Sequence, residues 1–153
     1  MITAVQFYAH AQSFKDAYAA AMRPLCQRLE LSQTAMDILL FLANNPSMDT
    51  ARDICTYRHL KPDLVSFHID ALTQNGFLQR RSAPDDRRKL HLTCTEKAAP
   101  IIAQGQAIQE EFSRQLTQGL SPEQLEILAQ CFSAIEQNIA RLPRVHNREK
   151  GDL

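Results

Sequence analysis

Apolar residues recur at helical spacing through most of the chain, and one short stretch breaks that rhythm. Phe7, Phe14, Tyr18, Met22, Leu25 and Leu29 follow at intervals of seven, four, four, three and four. That stripe predicts a long helix from Ile2 to about Leu29, with Pro24 as a place to kink. Ser32 is positioned to cap a second helix through Met36, Ile38, Leu39, Leu40, Phe41 and Leu42. Being apolar nearly all round, it belongs at the buried centre, and Asn44-Asn45-Pro46 ends it. Asp49 or Thr50 caps a short third helix with Ala51, Ile54 and Cys55 inward, and a turn over His59 to Pro62 leads to a fourth. The fourth runs over Lys61 to Asn75, with Pro62 at its first helical position and Gly76 as its stop.

From Gly76 the period drops to two. Leu90, Leu92 and Cys94 alternate after a charged turn holding Pro84, Asp85, Asp86, Arg87 and Arg88, which predicts a β-hairpin with a cationic tip. Helical spacing then returns. Thr95 is a cap for a fifth helix towards Leu120, which Pro100 delays or kinks. Ser121-Pro122-Glu123-Gln124 is a capping box opening a sixth helix to about Arg141. There Leu125, Leu128, Phe132, Ile135, Ile139 and Leu142 repeat at three and four, the seam of a helix built to pack lengthwise on another. The fold class is therefore mainly α with a small β-hairpin wing: a winged helix-turn-helix over residues 31–97, long dimerisation helices over 1–30 and 98–142, and a flexible tail over 143–153.

Composition narrows the function. A chain of 153 residues, 44% hydrophobic, can bury one real core as a single domain without disulfide staples. No apolar run is long enough to span a membrane and no signal peptide is visible, so a cytoplasmic protein is expected. The net charge is zero, but its distribution is uneven. Between Thr50 and Lys97 nine cations face six acids, a net +3, whereas Ala98 to Leu153 carries −2. The excess sits on the hairpin module, where it can attract phosphates.

Candidate chemistry is sparse elsewhere. Cys26, Cys55, Cys94 and Cys131 stand apart among apolar neighbours and read as reduced, packed thiols, with Cys26, near Arg23 and Arg28, the best candidate for a redox sensor. His10, His59, His68, His91 and His146 lack the spacing of metal ligands. There is no glycine-rich phosphate loop or nucleophile elbow, and neither an enzyme nor a cofactor is expected.

Leu72-x-x-x-Gly76-Phe77-Leu78-x-Arg80-Arg81, then Asp85-Asp86-Arg87-Arg88, a strand and Thr95-Glu96-Lys97, resembles the MarR (multiple antibiotic resistance regulator) family of bacterial transcription factors. The resemblance runs through the whole helix order, with its specific motifs between about Asp53 and Lys97. It implies a homodimer that binds double-stranded DNA as a repressor, with the fourth helix in the major groove and the wing at the minor groove. It implies that Asp86 orients Arg88 for the minor groove while Arg87 and Arg80 lie near phosphates. A small lipophilic or phenolic effector is expected at the junction of the first, second and fifth helices, beside Phe14, Tyr18 and Met36; Phe7 and the Leu125, Leu128, Phe132, Ile135 and Ile139 seam are expected at the dimer interface.

One departure from the family stands out. The fourth helix has Phe67 where family members often carry arginine, and no Arg or Lys from Pro62 to Gln74. Lys61, Asp63, Leu64, Ser66, Phe67 and His68 are its candidate DNA contacts, by hydrogen bonds to base edges or by contact with thymine methyls. Of the neighbours Phe67 and His68, one turns towards the core. The alternative is a winged helix used for protein docking, its basic tip facing an acidic partner.

Overall fold

The computed structural model describes residues 3–82 and 90–142, and four of its helices start at a side-chain cap. Helices α1 (Ala4–Arg28), α3 (Ala51–Arg58) and α6 (Pro122–Arg141) each open on a reciprocal capping box, Thr3 with Gln6, Thr50 with Asp53 and Ser121 with Gln124. Each box satisfies two backbone N–H groups that the first turn leaves without a carbonyl. At α2 (Gln33–Asn44) the Ser32 hydroxyl accepts from the Ala35 N–H at 3.1 Å. Helix α4 (Pro62–Gln74) relies on proline in its first turn instead. Helix α1 continues through Pro24 to Arg28.

The fifth helix differs at both ends from the sequence expectation. Thr95 does not cap it: its hydroxyl donates to the Gly76 carbonyl at 2.7 Å. A 3-10 turn, Glu96–Ala98, intervenes, and α5 (Ala99–Leu116) stops short of Leu120. The late start places Pro100 in the first turn, where its missing N–H costs nothing.

Gly76 terminates α4 for a conformational reason. Its φ of +75° is left-handed, and this lets Phe77 N–H reach the Leu72 carbonyl at 2.9 Å and Gly76 N–H reach that of Thr73 at 3.0 Å. The chain thereby reverses into β1 (Leu78–Ser82), which pairs antiparallel with β2 (Leu90–Cys94), Leu78 opposite Cys94 and Arg80 opposite Leu92. Leu92 N–H also donates to the Asp49 carbonyl at 2.7 Å, tying the hairpin to the segment before α3.

Two compact units make up the chain, residues 1–113 and 114–153. In the first, α2 is the centre: seven of its residues, from Ala35 to Leu42, are buried, and it packs on α1, α4 and β2. Met22, Leu25, Ile54, Val65, Ile69, Leu72, Leu78 and Leu92 close the core around it. Each fully buried aliphatic side chain contributes about 1.5–3 kcal/mol. Gly105 of α5 meets this centre closely, since a Cβ there would lie 2.8 Å from Leu40 Cδ2. Leu40 is itself buried in the core, so a shift of its side chain must be taken up by its neighbours. Gly105→Val is therefore expected to lower stability by about 1–3 kcal/mol, seen as a drop in Tm of several degrees; an unchanged Tm would show that α5 can shift away from α2. The second unit carries α6, none of whose residues is buried.

Candidate nucleic-acid interface

The outward face of α4 is built by subtraction. Val65, Ile69 and Leu72 point into the core, so Asp63, Leu64, Ser66, Phe67 and Asp70 remain exposed. Phe67 is 66% and Leu64 40% exposed, large apolar side chains held in water on a helix that follows a short turn from α3. Lys61 is exposed just ahead of the helix, and Asp63 lies in its first turn, where a carboxylate suits the positive end of the helix dipole.

His68 resolves the choice left open by the sequence. Its ring is half-buried, with Nδ1 3.4 Å from the Ser32 hydroxyl that caps α2, so His68 is the inward neighbour and Phe67 the outward one. The two rings meet edge to face with centroids 5.2 Å apart. Of the sequence candidates on α4, His68 is thus the one directed at the protein.

Arg80 is also engaged. Side chains alternate along a strand, which puts Arg80 on the same face as buried Leu78 and swings its guanidinium to α4, where it pairs with Asp70. The contact neutralises one of the two acids on the outward face of α4. Lys97 is likewise structural: its ammonium donates to the Asn75 carbonyl at 2.8 Å and lies 4.9 Å above the Phe77 ring. With Thr95, it clamps the Gly76 turn and so fixes the angle at which hairpin leaves helix. His91 Nδ1, 2.7 Å from Asp49 Oδ1, adds a second tie. Arg58 pairs with Asp37, so among the described residues three of the module's cations serve the fold, and the basic surface is thinner than a count of the sequence implies. Asp86, Arg87 and Arg88 at the wing tip lie outside the described residues, as does the tail from 143.

A second constellation joins α1, α2, α3 and α5. Phe14 and Tyr18 each meet Phe112 edge to face, at 5.4 and 5.6 Å. The Tyr18 hydroxyl accepts from Gln109 Nε2 at 2.9 Å and donates to Asp37 Oδ1 at 3.5 Å. Asp37 further accepts from Gln33 at 3.0 Å and from Arg58 at 2.5 Å. Phe112, Asp37 and Gln109 escaped the sequence reading. Met36, expected beside Phe14 and Tyr18, is wholly buried in the core.

Burial raises the Asp37 carboxyl above its ordinary value, and Arg58 with the hydrogen bonds from Gln33 and Tyr18 pulls it only partly back. A carboxyl that holds its proton more tightly folded than unfolded penalises the fold once ionised. Its contribution is fully favourable below the ordinary value of 3.8 and is lost as pH rises through the raised one. Wild type should therefore lose stability relative to Asp37→Asn between acidic and neutral pH. Paired thermal melts at several pH values check this; a wild-type advantage that grows with pH would mean that the Arg58 pairing outweighs burial.

Cys26 needs correction as a redox sensor. It is buried, and desolvation together with the Asp37 charge pushes its thiol up, opposite to what a reactive thiolate requires. Cys94 is raised by burial as well. Among the described residues no cluster of three or more His, Cys, Asp or Glu could hold a metal, and no helix is long and apolar enough to cross a membrane.

Comparison with known proteins fits this geometry. Residues 29–89 match the model of the MarR family. The fold is similar to that of the transcriptional regulator PA3341, at 25% identity and a TM-score of 0.79 over 88% of this chain and 98% of that one. It is also similar to a protein from Listeria monocytogenes assigned to the MarR family and solved with a 26mer DNA, at 14% identity and a TM-score of 0.78 over 92% and 91% of the two chains. A third likeness, at 18% identity and a TM-score of 0.67 over 93% and 83%, is to the organohalide-sensing regulator RdhR bound to 2,4-dichlorophenol.

Proposed function

We propose that this chain, whose residues 29–89 match the MarR family model, is a DNA-binding regulator of transcription that acts as a homodimeric repressor, reads a palindromic operator and releases it on binding a small phenolic effector. The observation that carries the reading is the outward face of α4, exposed along its length and set by the Gly76 clamp directly before the hairpin. That order of parts lays a helix in the major groove and brings the wing to the adjoining minor groove. Residues 31–97 are the DNA-binding lobe, with Lys61, Asp63, Leu64, Ser66 and Phe67 facing bases and backbone and Arg87 and Arg88 supplied by the wing.

Residues 1–30 and 98–142 form the dimer. The α6 seam leaves Leu125, Leu128, Phe132 and Ile139 exposed and Ile135 half-exposed, and the amino-terminal half of the α1 stripe leaves Phe7 and Phe14 about half-exposed. Apolar stripes of this length call for a partner helix, and a second copy supplies one. Two lobes on a two-fold axis then address half-sites about one helical turn apart.

The effector site is the junction where Phe14, Tyr18 and Phe112 offer aromatic edges and Gln109, Asp37 and Arg58 offer hydrogen bonds. RdhR, bound to a chlorophenol, sets the ligand chemistry to try first. A phenol that displaced Tyr18 from Asp37 would act on α3 through Arg58, and so reposition α4, which packs on α3.

Binding to duplex DNA over a range of salt tests the reading against docking to an acidic protein. A steep fall of affinity with salt, together with a preference among sequences, is expected of an operator reader. A steep salt dependence with no preference would favour the docking subunit.

A further inference from the structure

We infer that Phe67 reads the C5-methyl groups of thymine in the major groove, and that His68 acts as its positioning residue by propping the ring outward. The inference deepens the reading of α4 as the recognition helix and rests on it. The described surface of α4 offers no guanidinium or ammonium to the N7 and O6 acceptors of guanine: Pro62, Asp63, Leu64, Ser66, Phe67, Asp70 and Gln74 are its exposed residues, Lys61 precedes its first turn, and the nearest cation on β1, Arg80, is tied to Asp70. Around Phe67, in the first turns of the helix, what the face can offer bases is a carboxylate acceptor, a hydroxyl and two apolar groups; the Gln74 amide lies at the far, carboxy-terminal end. Among base edges in the major groove, the thymine methyl is the apolar one.

Phe67 is suited to that contact by its support. An exposed phenylalanine on a helix would ordinarily swing among rotamers, at a cost in entropy when a partner fixes it. Here the edge-to-face contact with His68 holds the ring, and the approach of His68 Nδ1 to Ser32 anchors that support to the start of α2. Because Ser32 also caps α2, whose side chains form the centre of the core, the ring is referenced to the buried centre of the lobe.

The test replaces thymines by deoxyuridine, which removes the methyl and leaves every hydrogen-bonding group in place. The duplex is the sequence that wild-type protein enriches from a random pool, substituted one thymine at a time inside each half-site and, as a control, outside it. Loss of one contacted methyl should weaken binding about fourfold, and loss of its symmetry mate as well roughly fifteenfold, the scale of one buried carbon per half-site. Phe67→Ala should bind thymine and uracil duplexes alike, and as an exposed residue its truncation leaves the core untouched. His68→Ala should narrow the thymine preference without changing the salt slope, and His68→Phe, which keeps a ring against Phe67, should restore it. Equal binding of thymine and uracil duplexes by wild type overturns the inference while leaving sequence-specific reading intact. A preference that survives Phe67→Ala also overturns it, and failure to enrich any sequence removes the operator reading together with it.

Discussion

Phe132→Glu is expected to convert the protein to a monomer and to cut its affinity for a two-half-site duplex by at least a hundredfold. Phe132 lies in the middle of the α6 seam and is 58% exposed within the chain, so a glutamate there costs the single protomer little. In a dimer built on that seam, two carboxylates would be forced into apolar contact without partners. Each such uncompensated charge costs about 3–5 kcal/mol, and ordinary dimer affinities do not survive a loss of that size. DNA affinity follows because two tethered lobes gain a factor of about 10²–10⁴ over one. Light scattering coupled to size exclusion reads the mass, and the helical signal in circular dichroism shows that α6 persists. A variant that stays dimeric with undiminished DNA binding would remove the seam from the interface.

Arg88→Ala is expected to weaken operator binding by about 1–3 kcal/mol, roughly five- to 150-fold, with the fold unchanged. The expectation rests on the Asp85-Asp86-Arg87-Arg88 motif, in which Asp86 can hold a guanidinium two residues on without cancelling its reach. Titration of wild type and variant against the same duplex checks it, and equal affinities would exclude Arg88 from the site. The geometry of Arg80 sharpens the contrast between the two arginines. Its pairing with Asp70 already serves the angle between hairpin and α4, so its loss should reach the DNA contact indirectly, through the position of the wing.

What could be read from the sequence was what local spacing encodes. The Ser121 capping box spans four residues, the Gly76 stop is a single left-handed position, and the apolar stripes repeat mostly every three or four; each announces its element without knowledge of the rest of the chain. What escaped depends on contacts between distant segments. Whether Phe67 or His68 faces out is settled by Ser32, 36 residues from His68. Phe112 joins the aromatic junction only because α5 packs beside α1, and Asp37, a charged residue on an apolar helix, gains meaning from Arg58 on α3 and Tyr18 on α1. Thr95 shows the limit most plainly. A threonine ahead of a helix reads as a cap, yet its hydroxyl donates to the Gly76 carbonyl, 19 residues back across the hairpin.

The same limit applies to charge. Nine cations against six acids puts a basic excess on the module but counts Arg58, Arg80 and Lys97 as available when each is engaged within the fold. Cys26 is a similar case: Arg23 and Arg28 are near in sequence, whereas the charge that acts on the thiol in space is Asp37.

Selection of bound sequences from a random duplex pool, carried out at low and at physiological salt, tests the central claim most directly. A dimer reading an operator through α4 and the wing should enrich a palindrome whose half-sites lie about 10 bp apart, and should keep it at physiological salt. Recovery of no common sequence, with binding lost at physiological salt, would contradict operator reading and turn the winged helix into a surface for a protein partner.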